Sequence, residues 1–349
     1  MPILIDGGRT PDLLSRRNGS NSVRPMANGE NGAACIRIAL INNMPDAALE
    51  DTEVQFCELL ESASGSTPIS LKLYSLPGLP RGAAGQRHLD SFYSSIDDLL
   101  NGRFDGVIMT GTEPCQSSLK DEPYWATLTN VLDWAETHTS STILSCLAAH
   151  ASVLHSDGIP RHRLPDKQFG VFEYEKVRTH PLTSSGGNTV GIPHSRWNEV
   201  RADALTSCGY EVLTESVEAG VDTFVKMKKD SLFIHFQGHP EYSDRTLLKE
   251  YRRDIKRFVR RERETYPTMP RGYFDALAAR LLSEFEQAVL SDPCEQTLAR
   301  FPEAVTDSVQ ADWQSSASSV YRNWLEYLSA RKADAPAYST QARAVRATL

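Results

Sequence analysis

The sequence predicts an α/β fold with a mostly parallel sheet flanked by helices. Two observations carry this: short apolar runs alternate with longer patterned segments in the first half, and further strands precede a helical C-terminal part. The runs are Ile36 to Ile41, Ile69 to Tyr74, Phe104 to Thr110 and Thr142 to Cys146. Each is too short for a typical helix and mostly apolar, as a strand covered on both faces tends to be. Between them, the segments near Leu49 to Leu60, Leu89 to Leu100 and Tyr124 to Thr137 carry helical patterning. After Gly158, Tyr210 to Thr214, Thr223 to Met227 and Leu232 to Phe236 read as strands joined by Gly and Asp turns, so the sheet continues there. From Arg245 the chain is helical and charged, and helices near Tyr273 to Leu290 and Ser318 to Leu328 follow.

Residues 1–34 are rich in Gly, Asn, Arg, Ser and Pro without apolar periodicity and are expected to form a disordered leader. Residues 35–332 are expected to fold as one domain, and residues 333–349 to form a flexible tail. The formal net charge of -8 argues against nucleic acid or an anionic membrane as a partner. Six scattered cysteines without a CxxC pair argue against a disulfide scaffold or a zinc ribbon. No apolar stretch reaches the roughly 18 to 20 residues that span a bilayer, and no signal peptide is evident. A cytoplasmic location is expected.

Two places hold candidate chemistry. Thr142-Ile-Leu-Ser-Cys146 begins as a strand, and Leu147-Ala-Ala-His150 suits the opening of a helix. A cysteine at such a switch projects above the sheet edge, where open α/β sheets bind ligands, and the helix N-terminus favours negative charge on its sulfur. Taken alone, Cys146 reads equally well as a small buried apolar residue, because the glycines of a GxSxG-type elbow are absent. Downstream, the strand Leu232 to Phe236 runs into Gln237-Gly-His239-Pro-Glu241. A histidine leaving a strand at a glycine is placed for proton transfer, and a carboxylate two residues on can orient its ring. Together Cys146, His239 and Glu241 form the group that acyl transfer through a thioester requires.

From about Ile36 to Leu328 the chain resembles the homoserine O-succinyltransferase and O-acetyltransferase family of methionine biosynthesis. The resemblance rests on Asn43-Met-Pro45, Thr52-Glu-Val-Gln-Phe56, Phe104-Asp-Gly-Val-Ile-Met-Thr-Gly111, Tyr124-Trp125, Val131-Leu-Asp-Trp134, Gly158-Ile-Pro160, Pro193-His-Ser-Arg196 and Gly238-His-Pro-Glu-Tyr242. It implies a class I glutamine amidotransferase-like, flavodoxin-like fold with additional C-terminal helices. It also implies a ping-pong reaction in which Cys146 takes the acyl group from acyl-CoA, and His239, supported by Glu241, activates the homoserine hydroxyl. Lys167, Ser195 and Arg253 fall on the family's substrate-binding positions.

Oxyanion stabilisation is expected from the backbone amide of Leu147 and a second amide near Gly111. The resemblance implies no bound cofactor, succinyl-CoA or acetyl-CoA as a substrate, no metal, and a homodimer. His150 and His155 stand five apart without an HExxH pattern.

Two stretches depart from the family pattern. Asp46 and Ala47 stand where many members carry lysines, and Thr112-Glu-Pro-Cys115 puts Cys115 at the position associated with donor choice. A small neutral cysteine leaves room for a succinyl tail, whereas Glu113, two residues away, is near enough to enter the same pocket, so succinyl is only slightly favoured over acetyl. Serine is an alternative acceptor, and a glutamine amidotransferase, a cysteine hydrolase or a non-catalytic homologue are alternative functions on the same fold.

Overall fold

The computed structural model describes residues 3–6, 9–17, 23–26, 35–309 and 312–334. In chain order its strands are β1 (Ile3–Ile5), β2 (Val23–Pro25), β3 (Ile36–Ile41), β4 (Ile69–Tyr74), β5 (Gly106–Met109), β6 (Ser141–Ser145), β7 (His162–Lys176), β8 (Thr189–Glu199), β9 (Glu211–Val212), β10 (Thr214–Ser216), β11 (Gly220–Val221), β12 (Thr223–Lys228) and β13 (Ser231–Phe236). A nine-stranded sheet runs in the order β2-β1-β4-β3-β5-β6-β13-β12-β9. From β2 to β13 all neighbours are parallel, and β12 and β9 close the far edge antiparallel. The mostly parallel α/β class expected from the apolar runs is the class observed.

The reason is visible within β3. Ile38 and Leu40 enter the cluster on one face of the sheet, while Ala39 and Ile41 enter the cluster on the other. A strand buried on both faces is apolar on both, which is why Ile36 to Ile41, interrupted only by Arg37, shows no regular alternation. Helices Asp46–Ser64 and Trp313–Asp334 cover the first face with Val54, Phe56, Tyr321 and Trp324. Helices Trp125–His138 and Leu147–Asp157 cover the second with Leu128, Val131 and Ala148. Trp324 is fully buried, so this C-terminal helix is part of the core; a buried aromatic of its size is worth about 3–5 kcal/mol against truncation to alanine. A third cluster joins the helices Thr246–Val259 and Ala276–Ser291, the latter capped by Asp275 accepting the Ala278 amide at 2.8 Å.

Two features differ from the sequence reading. β7 and β8 form a long hairpin that, with β10 and β11, makes a separate four-stranded antiparallel sheet. The first half of β7 is polar and exposed, and its register shifts between Arg163 and Gln168, around Pro165, so no continuous alternation marks it.

The expected disordered leader is corrected in part. Ile3 and Ile5 are fully buried in β1, which pairs with both β2 and β4. Three residues are too few for periodicity to register. Ala333 and Asp334 complete the last helix, and the remainder of the expected tail lies outside the described residues.

Candidate active site

Strand β6 ends at Ser145, and helix Leu147–Asp157 begins one residue later. Cys146 makes that turn alone, at φ 53° and ψ -113°, a conformation L residues rarely adopt. Its amide donates to Phe236 O of β13 at 2.8 Å, and its carbonyl accepts from Ala149 and His150, starting the helix. The strain, on the order of 1–3 kcal/mol, is held by these bonds and lifts the side chain above the sheet edge.

Beyond β13 the chain passes through Gly238 to His239. A Cβ on Gly238 would lie 2.7 Å from Ile192 and 2.8 Å from Pro193 O, so only glycine lets the hairpin pack against this turn. Two bonds then fix the turn. The His239 amide donates to Pro193 O at 2.9 Å, and the Gly238 amide donates to the buried carboxyl of Asp222 at 2.6 Å. Burial pushes the Asp222 carboxyl up to about 6, against the lowering effect of the hydrogen bonds it accepts from Thr223 and Gly238 and of Arg196.

Nδ1–H of His239 donates to Glu241 Oε1 at 2.8 Å, and the imidazole interacts electrostatically with Cys146. Its ring stacks on Tyr242 at 4.3 Å between centroids. Burial alone would depress the imidazole; the charges on Glu241 and Cys146 outweigh it and hold His239 well above its ordinary value. The three residues singled out from separate parts of the chain are therefore brought together, with His239 and Glu241 buried and Cys146 partly exposed.

Gly111 follows β5 directly across from the nucleophile turn. A Cβ there would sit 2.9 Å from Leu147 N, at the start of the helix where amide donors have no helical partner. Glycine thus keeps the approach to the Leu147 amide open.

Lys167, Ser195 and Arg253 come together around a residue the sequence reading missed. Glu250 accepts a short hydrogen bond from Ser195 Oγ and one from Tyr242 OH at 2.6 Å. Lys167 Nζ lies 3.7 Å and Arg253 NH2 3.8 Å from the same carboxylate. Both cations also reach Asp254, at 3.3 and 3.1 Å. Glu250 stands three residues before Arg253 on one helix, spacing that places it on the same face; the surrounding charged run hid that signal.

Cys115 is exposed on the loop after β5. Glu113 turns toward helix Thr246–Val259, its carboxylate 3.9 Å from Arg257. No group of three His, Cys, Asp or Glu suited to a metal ion occurs among the described residues, and none of their helices is long and apolar enough to cross a membrane.

A cysteine on a strand-to-helix turn, coupled to a histidine that a carboxylate orients, defines an α/β protein equipped for covalent transfer chemistry. The family model for homoserine O-succinyltransferase matches residues 2–335. The homoserine O-succinyltransferase of Rhodopseudomonas palustris is 45% identical over 296 residues, covering 84% of this chain and 88% of that one. That of Bradyrhizobium japonicum is 41% identical over 334 residues, covering 94% and 99%. Among solved structures, similarity extends to a glutamine amidotransferase from Thermotoga maritima, at 12% identity and a TM-score of 0.43, covering 84% of this chain and 97% of that one. The chain belongs to the homoserine O-succinyltransferase family.

Proposed function

We propose that the protein transfers the succinyl group of succinyl-CoA to the side-chain hydroxyl of L-homoserine through a thioester on Cys146. The observation that carries this is the Cys146, His239, Glu241 group at the end of the parallel sheet, in a member of this family. Transfer of the Cys146 proton to His239 gives the reacting pair, a thiolate and an imidazolium. The thiolate attacks the acyl carbonyl, and the amides of Leu147 and Gly111 take the negative charge on its oxygen. The thiol of CoA leaves with the proton of His239, which is now neutral.

Once the sulfur is acylated, its charge no longer helps to hold a proton on the imidazole, and His239 becomes competent to act as a base. It takes the hydroxyl proton of homoserine as the oxygen attacks the thioester, and expulsion of the thiolate restores the starting pair. Glu241 keeps the ring oriented through both half-reactions.

The group around Glu250 suits an amino acid. Arg253 and Lys167 supply cations for the carboxylate, while Glu250 and Ser195 supply acceptors for the ammonium. Succinyl is favoured as donor because Cys115 adds no bulk or charge and Glu113 is drawn toward Arg257. CoA enters as a substrate, with no bound cofactor, and the activity belongs to methionine biosynthesis in the cytoplasm, carried out by a homodimer.

Purified protein supplied with succinyl-CoA alone is expected to release CoA thiol only in the amount that acylates Cys146, and to release it continuously and form O-succinylhomoserine once L-homoserine is added. Ammonia released from glutamine, with no turnover of acyl-CoA, would overturn the reading.

A further inference from the structure

Tyr242 touches both halves of the site. Its ring stacks on the imidazole of His239, with centroids 4.3 Å apart and the planes 17° from parallel. Its hydroxyl donates to Glu250 Oε1 at 2.6 Å. The second oxygen of that carboxylate serves a different set of partners: Glu250 Oε2 accepts from Ser195 Oγ and lies 3.7 Å from Lys167 and 3.8 Å from Arg253. One side chain therefore joins the imidazole on the turn after β13 to the carboxylate on helix Thr246–Val259.

The backbone of Tyr242 is held without help from its hydroxyl. Its amide donates to His239 O at 3.1 Å, and its carbonyl accepts from Nε1 of the buried Trp313 at 3.0 Å. Losing the hydroxyl would leave the stack on His239 in place and free the carboxylate alone. Tyr242 is itself buried, so water is poorly placed to substitute for the bond to Glu250. Burial and the charge on Glu250 also hold the phenol well above its ordinary ionisation range, which keeps it a donor.

This bond bears on one half of the reaction. An amino-acid acceptor carries its ammonium and its hydroxyl at a separation fixed by its own chain. With the ammonium received at Glu250, the hydroxyl meets His239 only if carboxylate and ring are held at a matching distance. Glu241 occupies Nδ1, so Nε2 is the nitrogen the hydroxyl has to reach. Acylation of Cys146 makes no use of Glu250.

We propose that Tyr242 is a positioning residue for the second half-reaction, setting the distance between His239 and the carboxylate that receives the acceptor's ammonium by stacking on the one and binding the other. This rests on the acyl-transfer reading of the site.

The test measures two single-turnover rates in wild type and Tyr242→Phe: acylation of Cys146 by succinyl-CoA, and loss of the acyl group to saturating L-homoserine. Acylation is expected to be unchanged, which also reports that the variant is folded. Transfer to homoserine is expected to slow about 10- to 100-fold, the penalty of a displacement of up to about 1 Å between reacting groups. Transfer at the wild-type saturating rate, with or without a raised KM for homoserine, would overturn the assignment, and so would equal slowing of both steps; either leaves acyl transfer intact. Wild type that gains no acyl group would overturn the acyl-transfer reading and this assignment with it.

Discussion

Glu241 Oε1 lies 2.8 Å from Nδ1 of His239, two residues earlier in the chain, and Ser145 Oγ donates to the same oxygen at 3.4 Å. The carboxylate therefore both orients the ring and raises its proton affinity. Glu241→Gln keeps the shape and removes the charge. We expect kcat to fall about 10²- to 10⁴-fold, and the pH at which His239 loses its proton to move downward. A pH profile of kcat measures both; an unshifted profile would leave Glu241 a structural role only.

Gly111 owes its identity to the Leu147 amide. Gly111→Ala places a methyl group 2.9 Å from that nitrogen, where the acyl oxygen is to be received. Losing one such donor costs about 10²- to 10³-fold in kcat. A folded Gly111→Ala enzyme with full kcat would contradict the oxyanion assignment.

Arg253 belongs to the acceptor group around Glu250 and not to the Cys146 contacts. Arg253→Met is expected to raise KM for homoserine about 10- to 100-fold, while the burst of CoA released on first acylation keeps its amplitude. Steady-state and rapid-mixing kinetics separate the two. A lost burst would place Arg253 in the first half-reaction instead.

Stability should fall in mild acid. His150 is buried against Gln237 Oε1 at 2.9 Å, and burial pushes its pKa down to about 3. His194 and His235 are likewise driven well below their ordinary values by burial. These rings stay neutral in the folded chain and take up protons on unfolding, so the unfolded state gains as pH drops below about 6.5. Between pH 7 and 5.5, His150 alone removes roughly 1 kcal/mol. Asp222 acts oppositely: with its folded pKa raised to about 6, it protonates more readily in the native state and offsets part of the loss. Urea unfolding across this range is expected to show a net decrease in stability; an increase toward pH 5.5 would contradict the burial argument.

How much could be read from the sequence depended on how locally each signal is encoded. β3, β4, β5, β6 and β13 announced themselves because burial on both faces makes them predominantly apolar. Cys146 and the His239-Pro-Glu241 turn stand at the ends of two of those strands, so their place at the sheet edge was legible from position. β7 was not, since its first half is polar and its register shifts around Pro165. Glu250 acquires meaning through Ser195, which the fold brings to it from a distant strand. The burial of Ile3 and Ile5 likewise depends on β4, more than sixty residues away, and no window over the leader reveals it.

Everything above turns on whether Cys146 carries the acyl group. The most direct measurement is the intact mass of the protein after brief exposure to succinyl-CoA without an acceptor, in wild type and Cys146→Ala. The account predicts a gain of one succinyl group in wild type, lost on adding homoserine and absent from the alanine variant. No adduct in wild type, or the same adduct in Cys146→Ala, would contradict it.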